Sequence, residues 1–193
     1  MFARVTRRCT LLAGAALLTA CDLSGGFKGM AVDPPRDMPA FVFTRTDGSS
    51  FTTAPEPGRP MVLFFGYTHC PDVCPTTLAD WKRVHAKLGD DAKRVRFVFV
   101  TVDPDRDTPA VAERYARLYD AAFEGVSGDA ITTSRMMDAF GVAAAREPGT
   151  NATGYLVSHS SQVFLVDSHG KLVALYPFGT GWDALAADLE RLL

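Results

Sequence analysis

Two cysteines and one histidine carry the chemistry this chain can do. Cys70 and Cys74 stand in "FFGYTHCPDVCPTTLADW", with three residues between them, where an apolar run gives way to a helical pattern. A cysteine thiolate both binds soft metals and attacks disulfides. Exposed amides at a helix start stabilise negative charge, so thiols placed there are thiolate-prone. Pro75 disfavours helical backbone at Cys74, which predicts a helix over 75–88 with both sulfurs in the loop just ahead of it. The intervening residues include Pro71 and Asp72 and make a wider, stiffer loop than a two-residue spacing. Such a loop can chelate one small soft ion, and a disulfide across it is also open.

Two sulfurs leave a metal site incomplete. Structural zinc asks for four nitrogen or sulfur ligands, whereas Cu(I) is satisfied by two or three soft ones. Four histidines, His69, His85, His159 and His169, are available as a third ligand. His69 adjoins Cys70, but neighbours in an extended loop often point apart. His85 falls within the helical stretch as a solvent-side residue, and His169 lies in a turn between two strand-like runs. His159 stands in "YLVSHSSQVFLVD", just ahead of a strand-like run and at the end of a loop-like stretch, and is the favoured ligand.

The other two cysteines lie near the amino end. Arg4, Arg7 and Arg8, the apolar run Leu11 to Ala20 and the small residues before Cys21 resemble a bacterial lipoprotein signal peptide over residues 1–20. The apolar run is ten residues, short of the ~20 that cross a bilayer as a helix, so cleavage is expected rather than a permanent span. On that resemblance Cys21 bears the lipid, Asp22 is an inner-membrane retention signal, and Cys9 leaves with the leader. Cys70 and Cys74 are then the only thiols left, in an oxidising compartment. The net charge of −2 becomes about −5 once three arginines and no acids are removed, 17 minus 22. Without basic runs, nucleic acid is excluded as a partner. Residues 21–39, rich in Gly and Pro, are expected to be a flexible lipid-anchored linker, leaving one domain over 40–193.

The elements that must hold these side chains are legible in outline. Residues 41–44 and 51–53 flank an Asp-Gly turn and predict a hairpin. "PMVLFFGY" and "VRFVFVTVD" are continuous apolar runs, the pattern of strands buried on both faces. Thr108 and Pro109 predict a helix cap and first turn, and Ile131 to Phe140 a short helix closed by Gly141. Residues 143–158 carry Pro, Gly and Asn and predict a long loop. A hairpin around Ser168-His169-Gly170 and a helix over 182–193 complete the chain. This order is that of an α/β, thioredoxin-like fold, a central mixed sheet flanked by helices. The loops at the carboxyl ends of its parallel strands, "GYTHCPDVCP" and "DPDRDTP", should form the site. Asp103, Asp105 and Asp107 can form an acidic rim, with Asp107 or Thr108 as a helix cap, and Asp72 is a rim or loop residue.

"CPDVCP" (Cys70 to Pro75), "DPDRDTP" (Asp103 to Pro109) and "VSHSSQVFLVD" with His159, in this order, resemble the Sco (SenC/PrrC) family of copper-binding proteins. The likeness covers about residues 40–193. It implies a thioredoxin-like fold and copper, as Cu(I) and also Cu(II), held by Cys70, Cys74 and His159. It implies delivery to the CuA-bearing subunit of cytochrome c oxidase, with a periplasmic copper donor upstream and the lipid anchor holding the domain at the inner membrane. One departure is Ser158, where many members carry Asp. The competing function is a membrane-tethered thiol-disulfide oxidoreductase using Cys70 and Cys74 in cycles to reduce the CuA-site cysteines or another periplasmic target. A peroxidase reading of "CPTT" at Cys74 is weaker, because it leaves the cysteine pair and His159 without a role.

Overall fold

The computed structural model describes residues 26–150 and 154–193. The expected leader, Cys9 and the expected lipid-bearing Cys21 lie outside the described residues. β1 (Met30–Asp37), a hairpin of β2 (Val42–Thr44) and β3 (Ser50–Thr52), and β4 (Met61–Gly66) lead into α1 (Val73–Leu88). β5 (Arg96–Thr101), α2 (Pro109–Arg117), β6 (Glu124–Val126) and α3 (Ala130–Phe140) follow. β7 (Ala144–Pro148), β8 (Tyr155–His159), β9 (Val163–Val166), β10 (Lys171–Tyr176) and α4 (Trp182–Leu192) complete the domain.

Six strands form one sheet in the order β1-β10-β9-β4-β5-β6. β4, β5 and β6 run parallel, while β9 pairs antiparallel with β4, β10 with β9 and β1 with β10. The sheet is mixed and helix-flanked, as a thioredoxin-like fold requires. β4 and β5 are buried at every residue because both faces are covered, which explains their unbroken apolar runs. On one face Phe64, Phe97, Phe99 and Leu165 pack with α1, α2 and α4; on the other, Leu63, Phe65 and Val98 pack with α3 and the β2-β3 hairpin.

Three expectations of local structure are corrected. The spacer expected over 21–39 includes β1, an edge strand on β10, with a register shift between Ala31 and Arg36 where Pro34 and Pro35 sit. An edge strand tolerates proline because one row of its amides has no ladder partner to lose. The loop expected over 143–158 contains β7 and β8, paired from Ala144↔His159 to Pro148↔Tyr155. The helix expected from Pro75 begins at Val73, so Cys74 is in its first turn. Proline is accommodated at the third helical position because the first four amides have no intrahelical partner to lose.

Candidate metal centre

Cys70, Cys74 and His159 converge. One ligand atom from each, two Sγ and an imidazole nitrogen, lie within 4.8 Å of one another, and Cys74 Sγ is 3.6 Å from His159 Nε2. An ion held about 2.0–2.3 Å from each donor needs donors no more than about 4.6 Å apart, so this set closes on a single ion with little movement. It is the only group of three or more such side chains among the described residues, so the four-ligand cage of structural zinc is not present there. The donor set, two thiols and an imidazole, is that of a soft ion.

The cysteine half sits on the core. β4 ends at Gly66, and Tyr67 to Asp72 carry the chain to α1, with Cys70 half-buried and Cys74 0% exposed. A Cβ on Gly66 would stand 2.7 Å from Cys74 Sγ, 2.8 Å from Phe99 and 2.9 Å from Phe64, so only glycine leaves room for the thiol. Both cysteines are free thiols, and the Cys74 amide donates to Cys70 Sγ at 3.4 Å. The Cys70 thiol is held well below the ordinary thiol range, first by a hydrogen bond from the Cys74 thiol and then by His159 and backbone amides, against the effect of burial. Cys74 is pushed up by that same bond, by burial and by the charge on Cys70. That bond favours the thiolate on Cys70 and the proton on Cys74.

The histidine half is built on the β7-β8 hairpin. His159 Nδ1 is 2.9 Å from the Ser160 carbonyl oxygen, which can only accept; Nδ1 therefore donates there, and Nε2 is the nitrogen that faces the sulfurs. The rings of Phe64 and Tyr67 meet the imidazole edge-on, each with centroids 5.9 Å away. Ser158, the preceding residue, points to the opposite side of the strand. Its hydroxyl donates to Ala145 O and Glu147 Oε1 at 3.3 and 3.1 Å.

The remaining histidines stand elsewhere. His69 is exposed, with Nδ1 3.2 Å from Thr68 Oγ1 and 3.7 Å from Asp107. His85 lies 3.4 Å from Asp120 and meets the rings of Phe97 and Phe123, and His169 is exposed on its hairpin. The acidic rim is also corrected: Asp103 is 1% and Asp107 0% exposed. Thr108 caps α2, accepting from Val111 N at 3.4 Å, whereas Asp107 accepts from Thr68 and Thr101. Asp105 is exposed and ion-pairs with Arg146, and Asp72 is exposed at the start of α1 with no side-chain capping bond. Gly66, Tyr67, Arg106 and Tyr155 also shape the centre; a glycine closing an apolar run and an Arg enclosed by aspartates were the available signals.

A thioredoxin-like domain with two thiols and an imidazole at the carboxyl ends of its strands defines a class, proteins that handle soft metals or disulfides. The SCO1/SenC family pattern matches residues 30–193. This chain belongs to the SCO1/SenC family. Bradyrhizobium japonicum ScoI, solved with copper bound, is similar at a TM-score of 0.73 and 36% identity, covering 81% of this chain and 99% of that one. The solution structure of apo Sco1 from Thermus thermophilus gives 0.75 and 37%, covering 86% and 97%. A SCO2-like protein of Rickettsia felis is 33% identical over 126 residues, 65% of this chain and 62% of that protein. The chain thus spans less than two thirds of that relative's length.

Proposed function

We propose that this protein is a copper carrier, holding one Cu(I) through Cys70, Cys74 and His159 and delivering it to the CuA site of cytochrome c oxidase. The observation that carries this reading is the convergence of the two sulfurs and Nε2 within 4.8 Å. The copper in ScoI, at 36% identity, supports it. Copper is cargo here. Cys70 is the readier thiolate, Cys74 releases its proton as the ion arrives, and His159 Nε2 already stands beside the sulfurs. Three soft donors satisfy Cu(I) without filling its coordination shell. Cys70 and His159 are half-buried, so an acceptor thiolate can enter from solvent and exchange ligands one at a time without unfolding. Cu(II), a harder ion, is the weaker-held second state.

Anaerobic Cu(I) titration of the reduced protein against a competing chelator tests this. One tight equivalent is expected, abolished in Cys70→Ser or Cys74→Ser and weakened in His159→Ala. Full affinity in His159→Ala would remove that residue from the site. The tether belongs to the same proposal: a lipid on Cys21 holds the domain at the bacterial inner membrane, facing a periplasmic copper donor and the CuA-bearing subunit. Among the described residues no helix is long and apolar enough to cross a membrane. Release of a Cys21→Ala variant from membranes is the expected result.

The asymmetry of the thiols favours a second reading, thiol-disulfide exchange. The Cys70 thiolate is accessible to attack a target disulfide, and Cys74, protonated and buried behind it, is placed to resolve the mixed disulfide. That reaction does not need His159. Oxidase assembly that survives His159→Ala but not Cys70→Ser would establish it over copper transfer.

A further inference from the structure

The segment between β5 and α2 carries two carboxylates out of water in one loop, Asp103 and Asp107, and each is satisfied by a different half of the centre. Buried carboxylates are costly unless hydrogen-bonded. Asp107 accepts from Thr68 N at 2.9 Å and Thr68 Oγ1 at 2.5 Å, two residues ahead of Cys70, and from Thr101 Oγ1 at 2.7 Å. Asp103 accepts from the Tyr155 hydroxyl at 2.6 Å and from Arg106 Nε at 2.5 Å. Arg106 then donates through Nη1 to the Tyr155 carbonyl at 2.9 Å, and its guanidinium lies 3.6 Å over the Tyr155 ring. It is also 5.8 Å from the ring of Tyr67, which packs on His159.

Tyr155, Val157 and His159 share one face of β8. β7 and β8 pair only with each other, and most of their residues are exposed or half-buried. A lone two-stranded hairpin is marginal in water, so its attachment to the domain must come from such contacts and from Val157, which is buried in the core. We propose that Arg106, together with Asp103, is a positioning residue for His159: by gripping Tyr155 through its carbonyl, ring and hydroxyl, the pair sets where the imidazole stands relative to sulfurs that Asp107 holds from the same loop. This inference rests on the copper-carrier reading for its consequence in binding, and on hairpin geometry alone for its cause. A lysine cannot replace Arg106, because it lacks the planar fork that bonds and stacks at once.

The test uses Arg106→Gln, Arg106→Lys and Tyr155→Phe in the reduced, full chain, with two readouts. In copper-free protein, amide exchange over 155–159 should speed up about tenfold or more in Arg106→Gln and Arg106→Lys while 61–66 stay protected. Cu(I) affinity should fall about tenfold in Arg106→Gln, the loss typical of removing a support behind a ligand. In a His159→Ala background the same change should cost less than about twofold, because a residue acting through His159 has nothing left to position. Tyr155→Phe, which removes only the hydroxyl bond, should show the same pattern at smaller size. Unchanged exchange over 155–159, or equal copper loss in both backgrounds, would overturn the proposal. Wild-type binding indifferent to His159→Ala would instead defeat the assignment of His159 as a ligand, and amide exchange would still decide whether Arg106 fixes the hairpin.

Discussion

The two halves of the centre are held by different physics. The cysteines hang from β4, a strand buried at every residue and paired on both sides, and Cys74 is itself part of the core. His159 ends a hairpin outside the main sheet, held by one buried core residue, Val157, and by a few charged and aromatic side chains. Disturbing the first half should therefore cost the whole fold. Disturbing the second should cost local order and leave global stability nearly intact. A stiff thiol pair facing a separately hinged imidazole suits a carrier, since one ligand can yield while two retain the ion.

The comparison is broken most easily at Phe64. Its ring is fully buried between Trp81, Phe99 and His159. Phe64→Ala should cost about 3–5 kcal/mol in chemical denaturation, the usual cost of emptying a buried aromatic site. If Tyr155→Phe cost as much, the hairpin would be part of the same cooperative core and the distinction would fail.

Gly66→Ala comes next. The new methyl meets the Cys74 sulfur and two ring carbons at 2.7–2.9 Å, and those rings are locked in the core. A loss of about 1–3 kcal/mol is expected from overpacking. The thiol must move as well, so Cu(I) affinity should fall in the folded fraction. A variant of normal copper affinity would show that the centre follows Cys74 wherever it goes, and that the stiffness of this half is not required.

The outline of the stiff half was legible because burial on both faces imposes a continuous apolar pattern, as in Met61 to Phe65 and Phe97 to Val100. The α2 cap at Thr108 and the left-handed Gly141 closing α3, at φ 69°, were legible for local reasons that tertiary packing does not override. The hinged half was not. β7 is exposed beyond Ala144 and β8 buries only Val157, so the pair leaves no clear apolar alternation, and the Pro, Gly and Asn between them read as loop. β1 was concealed by its two prolines at a sheet edge. Asp103 and Asp107 were misread because aspartate is ordinarily a surface residue; beside the local bonds from Thr101 and Arg106, contacts more than thirty residues away, at Thr68 and Tyr155, make their burial tolerable.

The stiff half also predicts a reactivity. Because Cys70 is held below the ordinary thiol range, it stays ionised as pH falls. Its alkylation by iodoacetamide should stay nearly level from about pH 8 to about pH 6, where a thiol of pKa about 8.5 slows about tenfold per unit. Cys74→Ala removes the largest cause of the shift, so the inflection should move up toward the ordinary value. His159→Ala removes a lesser one and should move it less. The reverse order would mean that the imidazole, and so the hairpin, governs the thiolate.

The smallest effect is expected at Ser158, where the family resemblance would place Asp. Adjacent residues of a strand face opposite ways, so while His159 turns toward the sulfurs Ser158 turns toward Ala145 and Glu147. A carboxylate on this backbone would point away from the ion and stand beside Glu147, where like charge disfavours it. Ser158→Asp should then change Cu(I) affinity by less than about twofold and loosen the hairpin slightly, by no more than about 1 kcal/mol. Cu(II) spectra and affinity recorded on the same variant are the sharper measurement. A clear gain in Cu(II) affinity would mean that the hairpin twists to bring residue 158 to the ion, making the hinged half mobile enough to exchange one ligand face for another.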